Sequence, residues 1–207
     1  LRAIRLARFH TYEHLNNFEI TEETKKLINE IVDSGEIAKL SPNRIWTETE
    51  RALSSSNPNI YFKILLKYNL QKPYLDGLES SSCDSNDNIQ VRWAELQMNN
   101  NFILGENLPI PNAFSNAAKI LRMLSNIKLD SKENELLKYL QEISFERNSI
   151  LIKSLVELPH LKDTKQLILK LLSGMNETNF SVLANVPKEQ IEEEKFKLLI
   201  KVIKNCL

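Results

Sequence analysis

Glycine is scarce in this sequence: it occurs four times in 207 residues, with no Asn-Gly or Gly-Gly pair. Tight two-residue hairpins depend on such pairs or on Asp-Gly, which occurs once, at Asp76-Gly77, so a sheet built from successive tight hairpins is excluded. No apolar run approaches the roughly 20 residues that cross a bilayer, and no secretory signal is visible. Net charge is absent too, with 27 Lys+Arg against 27 Asp+Glu. Nothing in the overall balance attracts nucleic acid, so any such contact must come from a local basic face. The two cysteines, Cys83 and Cys206, are far apart and form no C-x-x-C pair. A bridge between them is formally possible, but the pattern reads as two thiols of a reduced, cytoplasmic protein. Only three histidines occur. His10 and His14 are four apart and can share a helix face, but Glu13 is the one nearby acid, so they read as a surface pair before a metal pair. His160 has no identifiable partner.

What is present is apolar spacing of helical period almost everywhere. The first helix is expected over Leu1 to about Glu13. Thr21 is placed to cap a second, with Glu22 and Glu23 at its positive end, Leu27, Ile28, Ile31 and Val32 as an inner stripe and Gly35 at its exit. Ser41-Pro42 and Asn57-Pro58 repeat a start signal, cap then proline. Ile45, Trp46, Thr49 and Leu53 share one face of the helix that follows the first signal. Ile60, Tyr61, Ile64, Leu65 and Tyr68 follow the second. Residues 79–88, ESSSCDSNDN, read as an exposed loop or short linker. A helix over Ile89–Met98 carries Trp93 and Leu96. Another runs from the Pro109/Pro111 break to about Ser125, with Phe114, Ala117, Ala118, Leu121 and Leu124 inward. Asp130-Ser131-Lys132-Glu133 has a capping-box pattern with Asp as the cap. Helices are then expected at 131–142 and 146–157, from Asp163 to near Gly174, and over 188–205, the last burying Ile191, Leu198, Leu199, Val202 and Cys206. The fold class is therefore all-α, an array of about nine or ten packed helices, without the fixed period of a solenoid.

Arg2, Arg5 and Arg8 stand three apart on the first helix. At about 100° per residue they trace a stripe that drifts slowly round one side, with Leu1, Ile4 and Phe9 largely on the other. A guanidinium fork can pair with a phosphate or a base edge through two parallel hydrogen bonds, and equally the stripe can be a solvated charged face. The surrounding text is more specific. LRAIRLARF, then NNFEITEET, then GEIAKLSPNRIWTETERAL closely resembles the neck of class II CCA-adding tRNA nucleotidyltransferases of bacterial type, relatives of poly(A) polymerases. The matching residues are Leu1, Arg2, Arg5, Arg8 and Phe9, then Thr21 and Thr24, then Pro42, Arg44, Trp46, Glu48 and Glu50.

The resemblance implies roles. Arg2 would read the Watson–Crick edge of incoming CTP or ATP together with an acidic partner lying before Leu1, and Arg5 would be a second nucleotide contact. Arg8, Arg44 and Glu48 would support the neck. For Arg44, an ordinary ion pair on a helix surface is as good a reading. The Mg²⁺-holding carboxylates of the family belong to an N-terminal head domain. No Gly-rich turn followed by a D-x-D strand occurs here, so this chain alone is expected to be inactive. The implied organisation is neck and body over 1–78, the polar loop 79–88, a degenerate phosphohydrolase-like helical region over 89–158 and a tail over 159–207. In VRWAELQMNNN, Met98-Asn99-Asn100 stands where the family's His-Asp pair would be, which implies loss of phosphohydrolase activity. LPIPNAFSNAAKIL resembles the next helix. The expected partner is tRNA, met through phosphates and 2′-hydroxyls. Lys162, Lys165, Lys170, Lys195, Lys197, Lys201 and Lys204 line the tail, but Glu192, Glu193 and Glu194 interrupt that run, and the final helix reads as a solvated face. A degenerate, non-catalytic paralogue that binds RNA or protein is the alternative.

Overall fold

The computed structural model describes residues 1–15, 19–145 and 147–207. Among them there are ten α-helices and no strand. These are α1 (Arg2–Phe9), α2 (Glu22–Asp33), α3 (Pro42–Leu53), α4 (Pro58–Lys67), α5 (Ile89–Met98), α6 (Asn112–Leu124), α7 (Glu133–Glu142), α8 (Ser149–Leu155), α9 (Lys165–Glu177) and α10 (Ile191–Cys206). The chain forms two compact units, Leu1–Lys119 and Ile120–Leu207, and the division falls inside α6. The Asn16, Asn17 and Phe18 of NNFEITEET lie outside the described residues, as does Glu146, the expected first residue of α8.

In the first unit α1 packs on α3 and α4, and α3 packs in turn on α4 and α5. Ala3 and Ala7 are buried beside Ile4, and such small side chains let α1 lie close to its neighbours. The helix starts follow local chemistry. The Thr21 hydroxyl accepts the Thr24 N–H, prolines occupy the first turns of α3 and α4, and the Asn88 carbonyl oxygen accepts the Gln90 and Val91 N–H groups. Ile45, Trp46, Thr49 and Leu53 are all buried. Trp46 meets Trp93 edge-on at 5.2 Å and Phe114 at 5.1 Å, which ties α3, α5 and α6 together. Such perpendicular pairs set an aromatic edge against a ring face.

Several boundaries differ from expectation. α1 ends at Phe9, and the chain turns over residues 10–15 in place of continuing to Glu13. On α2 only Ile28 is buried. Leu27 is exposed and Ile31 and Val32 are half-buried, because α2 packs chiefly on the 3-10 turn Glu36–Lys39. The lone Asp76-Gly77 pair makes a turn with Gly77 at φ +85°, outside any hairpin. Residues 79–88 are irregular, as expected, yet they are strapped across α5 and bury Cys83 completely.

The second unit is organised by α10, which packs along α7 and α9. Its core is almost wholly apolar, with Leu136, Leu140, Phe145, Ile152, Ile168, Leu171 and Ile203 among the most buried side chains. α7 begins two residues later than the Asp130 cap would require. The Ser131 hydroxyl is engaged by the Lys128 N–H in the preceding turn, so Lys132 becomes the cap residue. The Glu135 carboxylate accepts the Lys132 N–H at 3.1 Å. A lysine side chain has no acceptor to return, so only half of a capping box forms. α9 starts after Thr164 and runs through Gly174 to Glu177. Gly174 marks a close approach, since a Cβ there would lie 2.9 Å from Val202 Cγ1 on α10. α10 starts at Ile191 after a 3-10 turn. Ile191 and Leu198 are half-buried, and Ile203 joins Leu199, Val202 and Cys206 in the core.

Candidate functional site

A three-residue step along an α-helix advances about 300°, so each arginine of α1 is rotated about 60° from the last. The structure converts that drift into a gradient. Arg2 is exposed, the Arg5 side chain is 51% exposed and that of Arg8 is 9% exposed. One carboxylate from α3 divides itself between the two inner arginines. Glu48, with its side chain 3% exposed, accepts from Arg5 Nε at 2.9 Å through Oε1 and from Arg8 Nε at 2.6 Å through Oε2. Burial acts to raise the Glu48 pKa, but the Arg5 and Arg8 guanidiniums overcome it, and the carboxyl titrates below its ordinary range.

Arg8 is committed to structure. Its Nη1 donates to the Tyr12 hydroxyl at 2.6 Å, and its guanidinium lies 4.4 Å from the Phe9 ring centre. Arg5 spends only its Nε on Glu48. Arg2 makes no hydrogen bond or ion pair among the described residues. Beside them Arg2, Arg5, Leu6, Phe9, His10 and Leu15 line a shallow groove of about 570 Å³. Its lining is almost wholly apolar, and such a surface can hold a flat aromatic ring. Arg44 is exposed on the first turn of α3 and forms no ion pair among the described residues. The structure thus brings Arg5, Arg8 and Glu48 together, sets Arg2 on the same helix, and leaves Arg44 apart from the Glu48 pair.

α5 and the turn after it, which holds Asn99 and Asn100, carry a polar network that the sequence did not reveal. Arg92 is buried and donates from Nη1 to the Leu53 and Ser55 carbonyls at 2.7 Å each, and from Nη2 to Asp87 at 3.1 Å. The Glu95 carboxylate accepts from the Ser85 N–H and hydroxyl. Gln97 brackets Leu104 by donating to its carbonyl and accepting its N–H. Asn100, 2% exposed, accepts the Glu79 and Ser80 N–H groups at 2.7 and 2.8 Å and donates to the Ser80 and Leu96 carbonyls at 2.9 and 2.7 Å. Arg92, Glu95 and Asn100 fasten strap 79–88 to α5, Arg92 also ties α5 to the end of α3, and Gln97 pins Leu104. The available signal was compositional: a helix between a polar run and a proline break with its two ends too polar for a surface stripe. The partners were not visible, because they lie in the strap and at the end of α3.

No three His, Cys, Asp or Glu side chains converge as a metal site among the described residues. His10 Nδ1 lies 2.8 Å from the Leu6 carbonyl oxygen, and the His14 ring stacks on Tyr12. In the second unit Lys197 is paired with Glu193 and Glu194, Lys165 with Glu157 and Lys204 with Glu133. Lys162, Lys170, Lys195 and Lys201 form no ion pair among the described residues. No described helix is long and apolar enough to cross a membrane.

Comparison with known proteins bears on the first unit: the family match takes in Glu48, while Arg2, Arg5 and Arg8 precede it. Residues 17–81 match the family model described as the probable RNA and SrmB-binding site of polymerase A. Over 67 residues the chain is 46% identical to the Multifunctional CCA protein of Mannheimia succiniciproducens, a match covering 32% of this chain and 16% of that protein. The chain thus spans less than a fifth of that curated relative's length. No solved structure matches it.

Proposed function

We propose that this chain, whose residues 17–81 are an RNA-binding region of the CCA-adding and poly(A) polymerase family, is the nucleotide-selecting and tRNA-contacting part of an enzyme that adds CCA to tRNA from CTP and ATP. The observation that carries the reading is the graded arginine stripe. Glu48 fixes Arg5 through Nε alone and leaves both terminal nitrogens for a ligand, while Arg2 keeps its whole fork. A polymerase that lacks a nucleic-acid template must read the base through protein hydrogen bonds, and arginine donors match the acceptors on a cytosine or adenine edge. Arg8 and Glu48 hold α1 against α3, so they position the readers without touching the nucleotide. The transfer step itself belongs to Mg²⁺-binding carboxylates of an N-terminal head domain in the same polypeptide. This chain alone transfers no nucleotide, and with Asn100 given over to the strap it carries no phosphohydrolase activity.

The test uses the full-length parent, tRNA lacking its CCA end, CTP and ATP. Arg2→Ala should abolish discrimination between the two nucleotides while the fold is retained. Selective incorporation at the level of the parent would refute the assigned role. The network on α5 favours a second reading, a non-catalytic helical module that binds RNA or protein, since an active metal helix would not be fastened under a strap. A parent that lacks both an acidic pair immediately before Leu1 and a head domain would decide for that module.

A further inference from the structure

We propose that Tyr12 is a positioning residue, which sets the aim of Arg5 through Arg8 and Glu48. This rests on the base-reading role proposed for Arg5, and adds to it a residue that lies beyond the end of α1 and outside the family match. A single hydrogen bond fixes a distance but leaves its donor group free to turn, whereas a second bond fixes direction. Arg5 has only the single bond, from Nε to Glu48 Oε1 at 2.9 Å. Its direction therefore follows the plane of the Glu48 carboxylate. The other carboxylate oxygen accepts from Arg8 Nε at 2.6 Å, and Arg8 has a second anchor, since its Nη1 donates to the Tyr12 hydroxyl at 2.6 Å. A planar guanidinium tied at two of its nitrogens holds one orientation. Tyr12 thus holds Arg8, Arg8 holds the carboxylate, and the carboxylate holds Arg5.

Tyr12 is itself fixed from outside α1. It is half-buried in the turn that ends the helix, where its N–H donates to the Phe9 carbonyl at 3.2 Å and its carbonyl accepts the Leu15 N–H at 2.9 Å. Thr11 beside it is fully buried. The Thr11 hydroxyl donates to the Arg8 carbonyl at 2.7 Å, and the Thr11 carbonyl accepts the Ser56 hydroxyl at 3.3 Å. Ser56 lies between α3 and α4, so the turn is tied to the end of the helix that carries Glu48. The Tyr12 ring stacks on His14 at 6.0 Å and is tilted against Phe9 at 6.5 Å. Tyr12→Phe keeps the ring and these backbone bonds and removes only the acceptor of Arg8 Nη1.

The experiment has two arms. The first follows the arginine Nε–H signals of the isotope-labelled 207-residue chain by NMR. Tyr12→Phe should speed hydrogen exchange at the Nε–H of Arg8 and of Arg5 by about three- to tenfold, the share of one hydrogen bond. Arg92 is the control, since it is buried in the same unit and its Nε donates to the Asn86 carbonyl. Its exchange should stay as it was. Unchanged exchange at Arg5 would overturn the proposal. So would an equal acceleration at Arg92, which would make the effect one of stability alone. The second arm uses the full-length parent and tRNA lacking its CCA end. Tyr12→Phe should lower the ratio of kcat/KM for CTP to that for ATP about fivefold, and should add nothing beside Glu48→Gln, which already breaks the shared carboxylate. Three results here would overturn the proposal: the parent's ratio retained while Arg5→Ala loses it, an equal fall in kcat/KM for both nucleotides, or an effect that persists beside Glu48→Gln. If Arg5→Ala itself keeps the parent's ratio, the base-reading role of Arg5 falls, and the exchange rates alone decide whether Tyr12 holds Arg5.

Discussion

The two units solve the problem of a helical core differently. In Leu1–Lys119 several charged and amide side chains are buried and hydrogen-bonded: Arg8, Glu48, Arg92 and Asn100 bind groups 20 or more residues away, and Glu95 and Gln97 bind groups 10 and 7 residues away. In Ile120–Leu207 the core is apolar, Ser131 is the one buried polar residue among those described, and the ion pairs lie on the surface. Apolar contacts tolerate small slides, whereas a carboxylate shared between two guanidiniums fixes distance and angle. The unit that carries the family match is thus the one whose geometry is specified by directional bonds.

Both tryptophans, Trp46 and Trp93, belong to the first unit, so their fluorescence follows it alone while circular dichroism follows both units. The largest expected effect is from Glu48→Ala, which strands the buried Arg8 charge and should cost about 3 kcal/mol. The fluorescence midpoint in urea should fall while the dichroism of the second unit is retained. A single coincident transition at the original midpoint would remove the contrast between the units. Asn100→Ala leaves two strap N–H groups and two carbonyls without their partner, and should lower the same midpoint by about 2 kcal/mol. In the second unit, Gly174→Ala sets helix propensity against space. Alanine favours a helix by about 1 kcal/mol, but the new methyl meets Val202 at 2.9 Å, and overpacking of this kind costs about 1–3 kcal/mol. A net loss near 1 kcal/mol is expected, read by dichroism with fluorescence unmoved, and a gain would mean that α10 yields.

The smallest expected effect is on pH dependence, because desolvation offsets part of what the guanidiniums contribute. The Glu48 pKa is lower folded than unfolded, so its contribution is complete above the ordinary value of 4.5 and is lost as pH falls through the lower folded value. Acidification from pH 6 to pH 3 should therefore destabilise the first unit in the parent more than in Glu48→Gln. Equal slopes would show that the pair does not titrate as described.

Local signals were legible and distant ones were not. α5 runs from Ile89 to Met98 as read, because Asn88 caps it and a polar run precedes it. Thr21 and the prolines of α3 and α4 were likewise readable within a few residues. The helix expected to end near Gly174 runs on to Glu177, and the reason for that glycine, Val202, lies on another helix. The Asp130 cap failed because Ser131 is engaged by the turn before it. For the site, the arginine stripe and Glu48 were both visible, but their pairing spans 40 residues. The helical drift that buries Arg8 while exposing Arg2 was calculable from spacing. Which end faces inward depended on α3.

The strap over α5 carries its own reporter. Cys83 sits within it, fully covered, with burial and the nearby Glu95 and Asp84 carboxylates pushing its thiol pKa up. A thiol so held reacts only when the segment lifts. Its alkylation rate under native conditions is therefore a clock for strap opening, timed against the same reagent on the unfolded chain, and Asn100→Ala should make that clock run faster without altering any residue of the arginine stripe.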